Sequence, residues 1–329
     1  MSNFQFRPAK RENVGLWINL IGGTGSGKTY TAMRLASGIA GDKPFAVLDT
    51  ENRRALHYAD AFKFDHAELR PPFRPQAYAD AVVAADAAGY PVIVVDSGSH
   101  VWAGDGGVLD WQEEELSRMA GDDYGKRERV KMSAWIKPKM AHKHMVQKLL
   151  QVKAHVILCL RAEEKIEMVK VDGKLVVQPK QSMTGKDGWI PVCDKNLPFE
   201  ATVSFLLLAS NPGIPHPIKL QEQHKALFPL DKPITEESGR RLAAWAKGST
   251  AAASHPVSPG STPSTGNASA AATYITDDQA RNLLLTCEQT GVKIERVLLL
   301  GKLTKLEDML ANDYYSALKW IARQAKAKG

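Results

Sequence analysis

Residues Gly22 to Thr29 read GGTGSGKT, which fits the spacing G-x-x-x-x-G-K-[ST]. Each part of that spacing serves phosphate chemistry. Gly22, Gly23, Gly25 and Gly27, with Thr24 and Ser26 between them, let the backbone wrap. Its N–H groups then face an anion at the positive end of the helix that follows. Lys28 reaches the β- and γ-phosphates as a point charge, and the Thr29 hydroxyl is placed to ligate Mg²⁺. Tyr30 completes the expected contacts with the nucleotide. A magnesium ion held this way also needs an acid, reached through water, and PVIVVDS (91–97) supplies one in Asp96. Asp96 closes an apolar run, where ligands bind in open α/β sheets; as a cap of the next turn it would sit in the same place. Hydrolysis further requires a carboxylate that orients and polarises water. The residue after Asp96 is Ser97, so that acid must come from another strand end. FAVLDTE (45–51) offers Glu51, which reads either as the catalytic base or as a solvated loop acid beside Arg53 and Arg54.

The loop qualifies as a nucleotide site through its context. The strand-like LWINLI precedes it and the helix-compatible TYTAMRLASGIA follows. Short apolar runs at 16–21, 45–48, 92–95, 155–160 and 202–208 alternate with longer helical patterns. This is the signature of an α/β domain with a mostly parallel, twisted sheet covered on both faces. IEMVKVDGKLVVQ (166–178) has two β-rich arms joined through Asp172-Gly173, a hairpin signal.

The 329 residues carry 43 Lys+Arg against 36 Asp+Glu, a net charge of +7, with 44% hydrophobic and 24% charged residues. Such a chain is too apolar to be disordered and has no run long enough for a membrane span. Its three cysteines lack a CxxC pair, so neither a disulfide framework nor a zinc ribbon is expected. With no signal-peptide pattern in MSNFQFRPAKREN, a reducing cytoplasm is the expected location, that of the host if the chain is phage-encoded. Residues 248–273 contain no Asp, Glu, Lys, Arg, Phe, Tyr or Trp and read as a flexible Ala/Ser/Pro/Thr tether. They separate an ATP-binding domain over 1–247 from a small helical domain over 274–329. In the latter, Thr276 and Gln279 have capping-box spacing and Gly291 marks a helix stop.

VLDTENRRALHYA resembles the RecA segment in which a strand ends in Asp-Ala-Glu and that Glu polarises the water. VIVVDSGS resembles the RecA Walker B strand, and HVILCLRA the next core strand, whose end senses the γ-phosphate. The resemblance covers about residues 14–245 and implies a RecA-like P-loop NTPase core. Through ALHYAD, GVLDWQEEEL and AWIKPKMAHK the region is similar to phage-encoded RecA-core ATPases of recombination cassettes, some of them single-strand annealing proteins. RecA ends its sensing strand in Gln, whereas this chain has Leu160 and Arg161, so Arg161 inherits the expected contact to the γ-phosphate. Phe6-Arg7-Pro8-Ala9 fits the F-x-x-A pattern by which some RecA relatives dock on a neighbouring subunit, and equally an ordinary N-terminal anchor. The first reading implies a homo-oligomer.

Two loops at the sheet's upper edge contact DNA in RecA-type cores; by chain order they correspond here to about 98–132 and 162–190. The first begins with Trp102. From Lys126 to Lys153 nine Lys/Arg face one acid, Glu128, which is +8 within a chain of net +7. Lys126, Arg127, Arg129, Lys131, Lys137, Lys139 and Lys143 are interleaved with Trp135, His142 and His144. Positive charge with aromatic rings is the pattern of single-strand binding. The competing reading is a solvated helix face with Trp135, Ile136, Met140, Met145 and Leu149 as core. Lys165 and Lys170 on the hairpin would touch DNA phosphate or reach a neighbour's nucleotide. The tail domain suits recruitment of a single-strand-binding protein or another recombination partner, or else oligomerisation.

Together these residues predict a Mg²⁺-dependent ATPase acting on single-stranded DNA in phage-type recombination or annealing. The alternatives are an annealing protein for which ATP is only a switch or structural ligand, and a P-loop NTPase acting on protein partners.

Overall fold

The computed structural model describes residues 8–11, 14–171, 174–180, 182, 188–248 and 277–301, and positions 303, 305–309, 313, 317, 320 and 321. Residues 249–273 of the expected tether and the F-x-x-A segment's Phe6 and Arg7 lie outside the described residues, as do Asp172-Gly173 and Thr276.

Ten strands occur among the described residues: β1 (Trp17–Gly22), β2 (Phe45–Asp49), β3 (Phe64–Glu68), β4 (Val92–Asp96), β5 (His155–Glu164), β6 (Ile166–Val171), β7 (Lys174–Pro179), β8 (Trp189–Pro191), β9 (Val203–Leu207) and β10 (His216–Lys219). The helices are α1 (Lys28–Ala40), α2 (Pro75–Ala87), α3 (His100–Ala103), α4 (Val108–Ala120), α5 (Tyr124–Val130), α6 (Ile136–Leu149), α7 (Leu197–Glu200), α8 (Glu222–Lys225), α9 (Glu236–Ala246), α10 (Asp277–Thr290) and α11 (Ile294–Gly301).

The sheet runs β10-β9-β1-β5-β4-β2-β3. Six consecutive strands, β9 through the edge strand β3, are all parallel. β10 closes one edge antiparallel to β9, and β8 adds antiparallel to the far end of β5. Alternate residues of the buried strands feed two separate apolar layers. On β4, Val92 and Val94 pack with Met33, Leu35 and Phe45 on one face. Ile93 and Val95 pack with Tyr78, Val82 and Met145 on the other. Both faces of a parallel strand are apolar because helices cover both, which is why these strands read as unbroken hydrophobic runs. The fold is thus a mixed α/β P-loop NTPase core with a mostly parallel sheet. β3 and β10 carry no such run: β3 reads FDHAE, with alternating exposure, as an edge strand does.

β6 and β7 form the expected hairpin as a separate two-stranded sheet, in register from Ile166↔Pro179 to Val171↔Lys174. It springs from the carboxyl end of β5, and β8 returns the chain to β5.

The chain divides into two compact units, 1–254 and 255–329. In the second, Leu283, Cys287, Val292, Val297, Met309, Ala317 and Ile321 form a small apolar core. α10 ends at Thr290, and Gly291 follows with φ 65°, the left-handed stop that its residue type permits. No helix of the described residues is long and apolar enough to cross a membrane.

The helix that carries the phosphate loop, α1, packs on α9 at a separation only glycine allows. A Cβ at Gly38 would fall inside the Glu236 backbone, and one at Gly239 would overlap the Leu35 carbonyl. Arg34 locks the pair by donating to both Glu236 carboxylate oxygens, at 2.8 and 2.7 Å. Gly38→Ala overpacks this contact and is expected to lower unfolding free energy by about 1–3 kcal/mol. Urea denaturation of the full chain measures it, and an unchanged midpoint would contradict the close approach.

Candidate functional site

β5 lies between β1, which ends in the phosphate loop, and β4, which ends in Asp96. All three strands are parallel, so their carboxyl ends open on one edge, and Glu51 follows β2 onto the same edge. The result is a cavity of about 710 Å³. Every glycine of the loop lines it, with Thr24, Lys28, Thr29, Tyr30, Glu51, Asp96 and Arg161. Of the expected nucleotide contacts only Ser26 is turned inward, fully buried, its hydroxyl donating to the Gly23 carbonyl at 2.8 Å.

The loop's shape depends on its glycines at two points. Gly27 caps α1 in the left-handed region at φ 80°, where a side chain is strained. Gly23 lies flat against the ring of Trp189 on β8, and a Cβ there would collide with the indole. Lys28 Nζ donates to the Gly23 carbonyl at 2.8 Å, and burial holds its pKa below the ordinary lysine value.

Thr29 Oγ1 donates to Asp96 Oδ2 at 2.5 Å, bringing the two expected metal-binding oxygens together. Asp96 is almost wholly buried, and desolvation pushes its pKa up to about 6, although the Thr29 hydrogen bond and Lys28 pull it down. A buried carboxylate beside a hydroxyl is a donor set of hard oxygens. Mg²⁺ is bound in just this way, by one or two protein oxygens with the rest of its shell from waters and substrate phosphates. The residues therefore fit the ion. Among the described residues there is no group of three or more His, Cys, Asp or Glu that would hold a metal by itself.

Glu51 and Arg161 meet directly. Arg161 donates through Nε and Nη2 to Glu51 Oε1 at 3.1 and 2.7 Å, and Arg54 Nη1 donates to Oε2 at 2.8 Å. Burial alone would raise the Glu51 pKa. The Arg161 hydrogen bond and the charges of Arg161 and Arg54 outweigh it and hold the carboxyl below its usual range. The loop that presents Glu51 is built on Asp49. Its buried carboxylate accepts the Glu51 N–H at 2.6 Å and the Ala55 N–H at 2.9 Å, and lies 3.2 Å from His66 Nε2. Asn52 and Arg53 complete that turn with positive φ, 54° and 64°.

Several lining residues were not anticipated: Arg54, Tyr58, Ser99, His100, Ala103, Ala162, Glu163 and Val192. Arg54 was legible only as a neighbour of Glu51. Tyr58 sits on a 3-10 turn after β2, its ring centroid 5.9 Å from that of Tyr30, so the two form an aromatic wall at the cavity. His100 Nδ1 lies 2.8 Å from Thr50 Oγ1, and burial, then Arg161, hold its pKa low. Val192 reaches the cavity because β8 pairs back onto β5, which no local pattern foretells.

The basic segment forms α5, a short 3-10 turn and α6. Lys126, Arg129, Lys131, Lys137, Lys139 and Lys143 are exposed. Arg127 is drawn in to Glu113 and the Gly121 carbonyl, while Lys131 pairs with Glu128 and Lys137 with Glu115. Trp102 is half-buried, stacked on Trp135 at 6.2 Å between centroids and edge-on to His142 at 5.7 Å. The core reading of this segment holds for Met145 and Leu149, which are buried, but not for Ile136 and Met140, which are 57% and 55% exposed. Those two fall on the outer side of α6 because its inner side packs through Pro138, His142, Met145 and Leu149. Lys165 and Lys170 are exposed on and beside the hairpin, Lys165 within 3.6 Å of Glu163.

Residues 15–188, more than half of the chain, match the model of a family described as an AAA domain. The chain belongs to that family. No curated protein matches it. The AAA domain is a P-loop nucleotide-binding domain of ATPase type, and its matched span contains the phosphate loop, Glu51, Asp96 and Arg161. β9, which pairs with β1, and α9, which packs on α1, lie beyond that span and complete the core around the AAA domain's first strand and helix.

Asp96 gives the site a pH signature. Its folded pKa of about 6 lies above the ordinary value, so between about pH 4 and 6 the folded chain binds a proton that the unfolded chain has lost. Stability contributed by the neutral carboxyl declines as pH rises through that window, and a bound cation restores it by favouring the ionised form. Below about pH 6 a proton would compete with a cation held by Asp96. kcat/KM for Mg²⁺-ATP should therefore fall on the acid side with a midpoint near 6. Glu51, held low by its arginines, adds no limb in that range. A flat profile from about pH 5 to 8 would remove Asp96 from the metal's shell.

Proposed function

We propose that this chain is a Mg²⁺-dependent ATPase that acts on single-stranded DNA in a recombination or annealing process of the phage type. The observation that carries the ATPase half is the convergence of Lys28, Thr29, Asp96 and Glu51 on one cavity. A nucleotide's phosphates would lie on the N–H groups of residues 22–29 at the start of α1, and its base against Tyr30 and Tyr58. Lys28 would exchange the Gly23 carbonyl for phosphate oxygens, a stronger, charge-assisted partner. Thr29 and Asp96 would hold Mg²⁺, which supplies charge neutralisation on the β- and γ-phosphates when bound.

Glu51 is the base in this reading, and its present partners define how it would be used. A carboxylate facing two guanidinium groups is a poor proton acceptor. The γ-phosphate competes for the same guanidinium of Arg161, which the fold places at the end of the strand next to the loop. Arg161 moving to phosphate frees Glu51 Oε1 to orient a water. The water oxygen then bonds to the γ-phosphorus as its bond to the bridging oxygen breaks. The electron pair leaves with the diphosphate, and the water's proton passes to Glu51.

The DNA half rests on location. α3 follows Asp96 directly; its His100 and Ala103 line the cavity, and its Trp102 stacks on Trp135 at the start of the basic helix. Positive charge is therefore concentrated at the cavity's neighbour, where a polyanion would feel it. Recruitment of a partner by the tail unit, and a homo-oligomer, belong to the same proposal.

The test is ATP hydrolysis by the full chain with and without single-stranded DNA. Lys28→Ala should abolish turnover, and Glu51→Gln should reduce it by about 10²–10⁴-fold while nucleotide binding persists. DNA should stimulate the wild type and not the Glu51 variant. Wild-type turnover in either variant would overturn the site, and unstimulated turnover together with no salt-sensitive DNA binding would leave a P-loop NTPase for other partners.

A further inference from the structure

Met132, Ile136 and Met140 are 80%, 57% and 55% exposed; Ile136 and Met140 lie four apart on α6, and Met132 precedes the 3-10 turn Ser133–Trp135 that leads into it. Residues four apart in an α-helix share one face, so Ile136 and Met140 form a ridge, with Met132 exposed one 3-10 turn ahead of it. Exposed Met and Ile in line on an otherwise lysine-rich helix are unusual, because a merely solvated face has no use for them. Their setting is cationic: Lys139 and Lys143, themselves four apart, are exposed alongside. Neither has an ion pair among the described residues, and Lys139 Nζ lies 5.2 Å from the Trp135 ring. Glu128 and Glu115 pair with Lys131 and Lys137, and Lys139 and Lys143 remain, among the described residues, as unpaired cations beside the ridge.

We infer that this ridge is a platform for the unstacked bases of single-stranded DNA, with Lys139 and Lys143 on the phosphates; it rests on the reading of DNA as the partner. The occupant must join apolar faces to regularly spaced negative charge, and that combination is what a single strand presents. Duplex DNA offers its phosphates but keeps its base faces inside the stack. The spacing agrees. Ile136 and Met140 are separated along the helix by about 6 Å, at 1.5 Å per residue. The rise of a stacked strand is about 3.4 Å per nucleotide. Bases can enter between the rungs only if the strand is extended and unstacked, so the platform selects single strands by geometry as well as by exposure.

The test compares full-length wild type, Met132→Ser/Ile136→Ser/Met140→Ser and Lys139→Gln/Lys143→Gln in anisotropy titrations. The probes are a labelled single-stranded oligonucleotide, the duplex of the same sequence, and an abasic oligonucleotide of the same length, each across a salt series. Because all three side chains are exposed, the triple variant should keep the wild-type melting midpoint. It should lose about tenfold or more in affinity for the single strand, keep the wild-type salt slope, and bind the abasic strand as wild type does. The lysine pair should instead flatten the salt slope by about 1.4, near 0.7 per phosphate contact on a single strand. Wild-type single-strand affinity in the triple variant would overturn the platform alone. So would unchanged single-strand affinity in the triple variant together with lost sedimentation with anionic phospholipid vesicles, measured in parallel, which would make the ridge a membrane contact. Absence of single-strand binding by the wild type would instead remove the functional reading on which the platform rests.

Discussion

Thr29 opens the helix that follows β1 and Asp96 ends β4, and their 2.5 Å hydrogen bond ties the phosphate loop to β4 at the cavity edge. One strand, β5, fills the gap between β1 and β4, and its pairing with both neighbours runs in continuous register to the last residues before the cavity. Close packing transmits any change in that spacing, because the layers on either face have no slack. The glycine contact between α1 and α9 serves the same end from outside the sheet: it seats the helix whose first residues are Lys28 and Thr29. A hydroxyl and a buried acid can share a divalent ion only when the scaffold holds them before the ion arrives.

The second constraint is electrostatic. Six charged side chains, Lys28, Glu51, Arg54, Asp96, Arg161 and Glu163, share one cavity, and their formal charges cancel. Without further ligands they satisfy one another: Lys28 on a carbonyl, Asp96 on a hydroxyl, Glu51 on two arginines. Each of those contacts uses a group that phosphate or metal would use better. The arrangement is self-consistent in the protein alone and strained by none of the exchanges that nucleotide binding would require. The cost of holding Glu51 this way is a weaker base, so the tuning of its pKa and the reach of Arg161 are one question.

The phosphate loop, Asp96 and the five inner strands that read as apolar runs were legible because each is local. A glycine-rich spacing, an acid closing an apolar run, and residues buried on both faces all leave a mark within ten residues. Glu51 and Arg161 were legible as separate strand-end residues, but their ion pair joins positions 110 apart and has no local trace. Tyr58 and Val192 enter the cavity through a 3-10 turn and a returning antiparallel strand, whose direction is set by tertiary pairing. β3 was missed because an edge strand needs only a half-apolar pattern, and FDHAE looks like a loop. On α6, charge count alone could not say which apolar residues face inward. Packing against the core decided it, burying Met145 and Leu149 and leaving Ile136 and Met140 outside.

That division of α6 has a consequence for how the two proposed activities would communicate. The helix cannot shift toward a strand of DNA without moving Trp135, and Trp135 cannot move without Trp102, whose ring it overlies. Trp102 belongs to a four-residue helix that begins at His100, and His100 contacts Thr50 beside Glu51. Two packed contacts, Trp135 on Trp102 and His100 on Thr50, joined by α3, thus connect the start of α6 to the residue before Glu51. Short rigid connections of this kind pass on displacement rather than absorb it, so a ligand on the ridge and a phosphate at Arg161 would bias the same element, α3. Coupling by this route would be reciprocal: if DNA binding ordered α3 in favour of nucleotide, nucleotide would raise DNA affinity by the same factor.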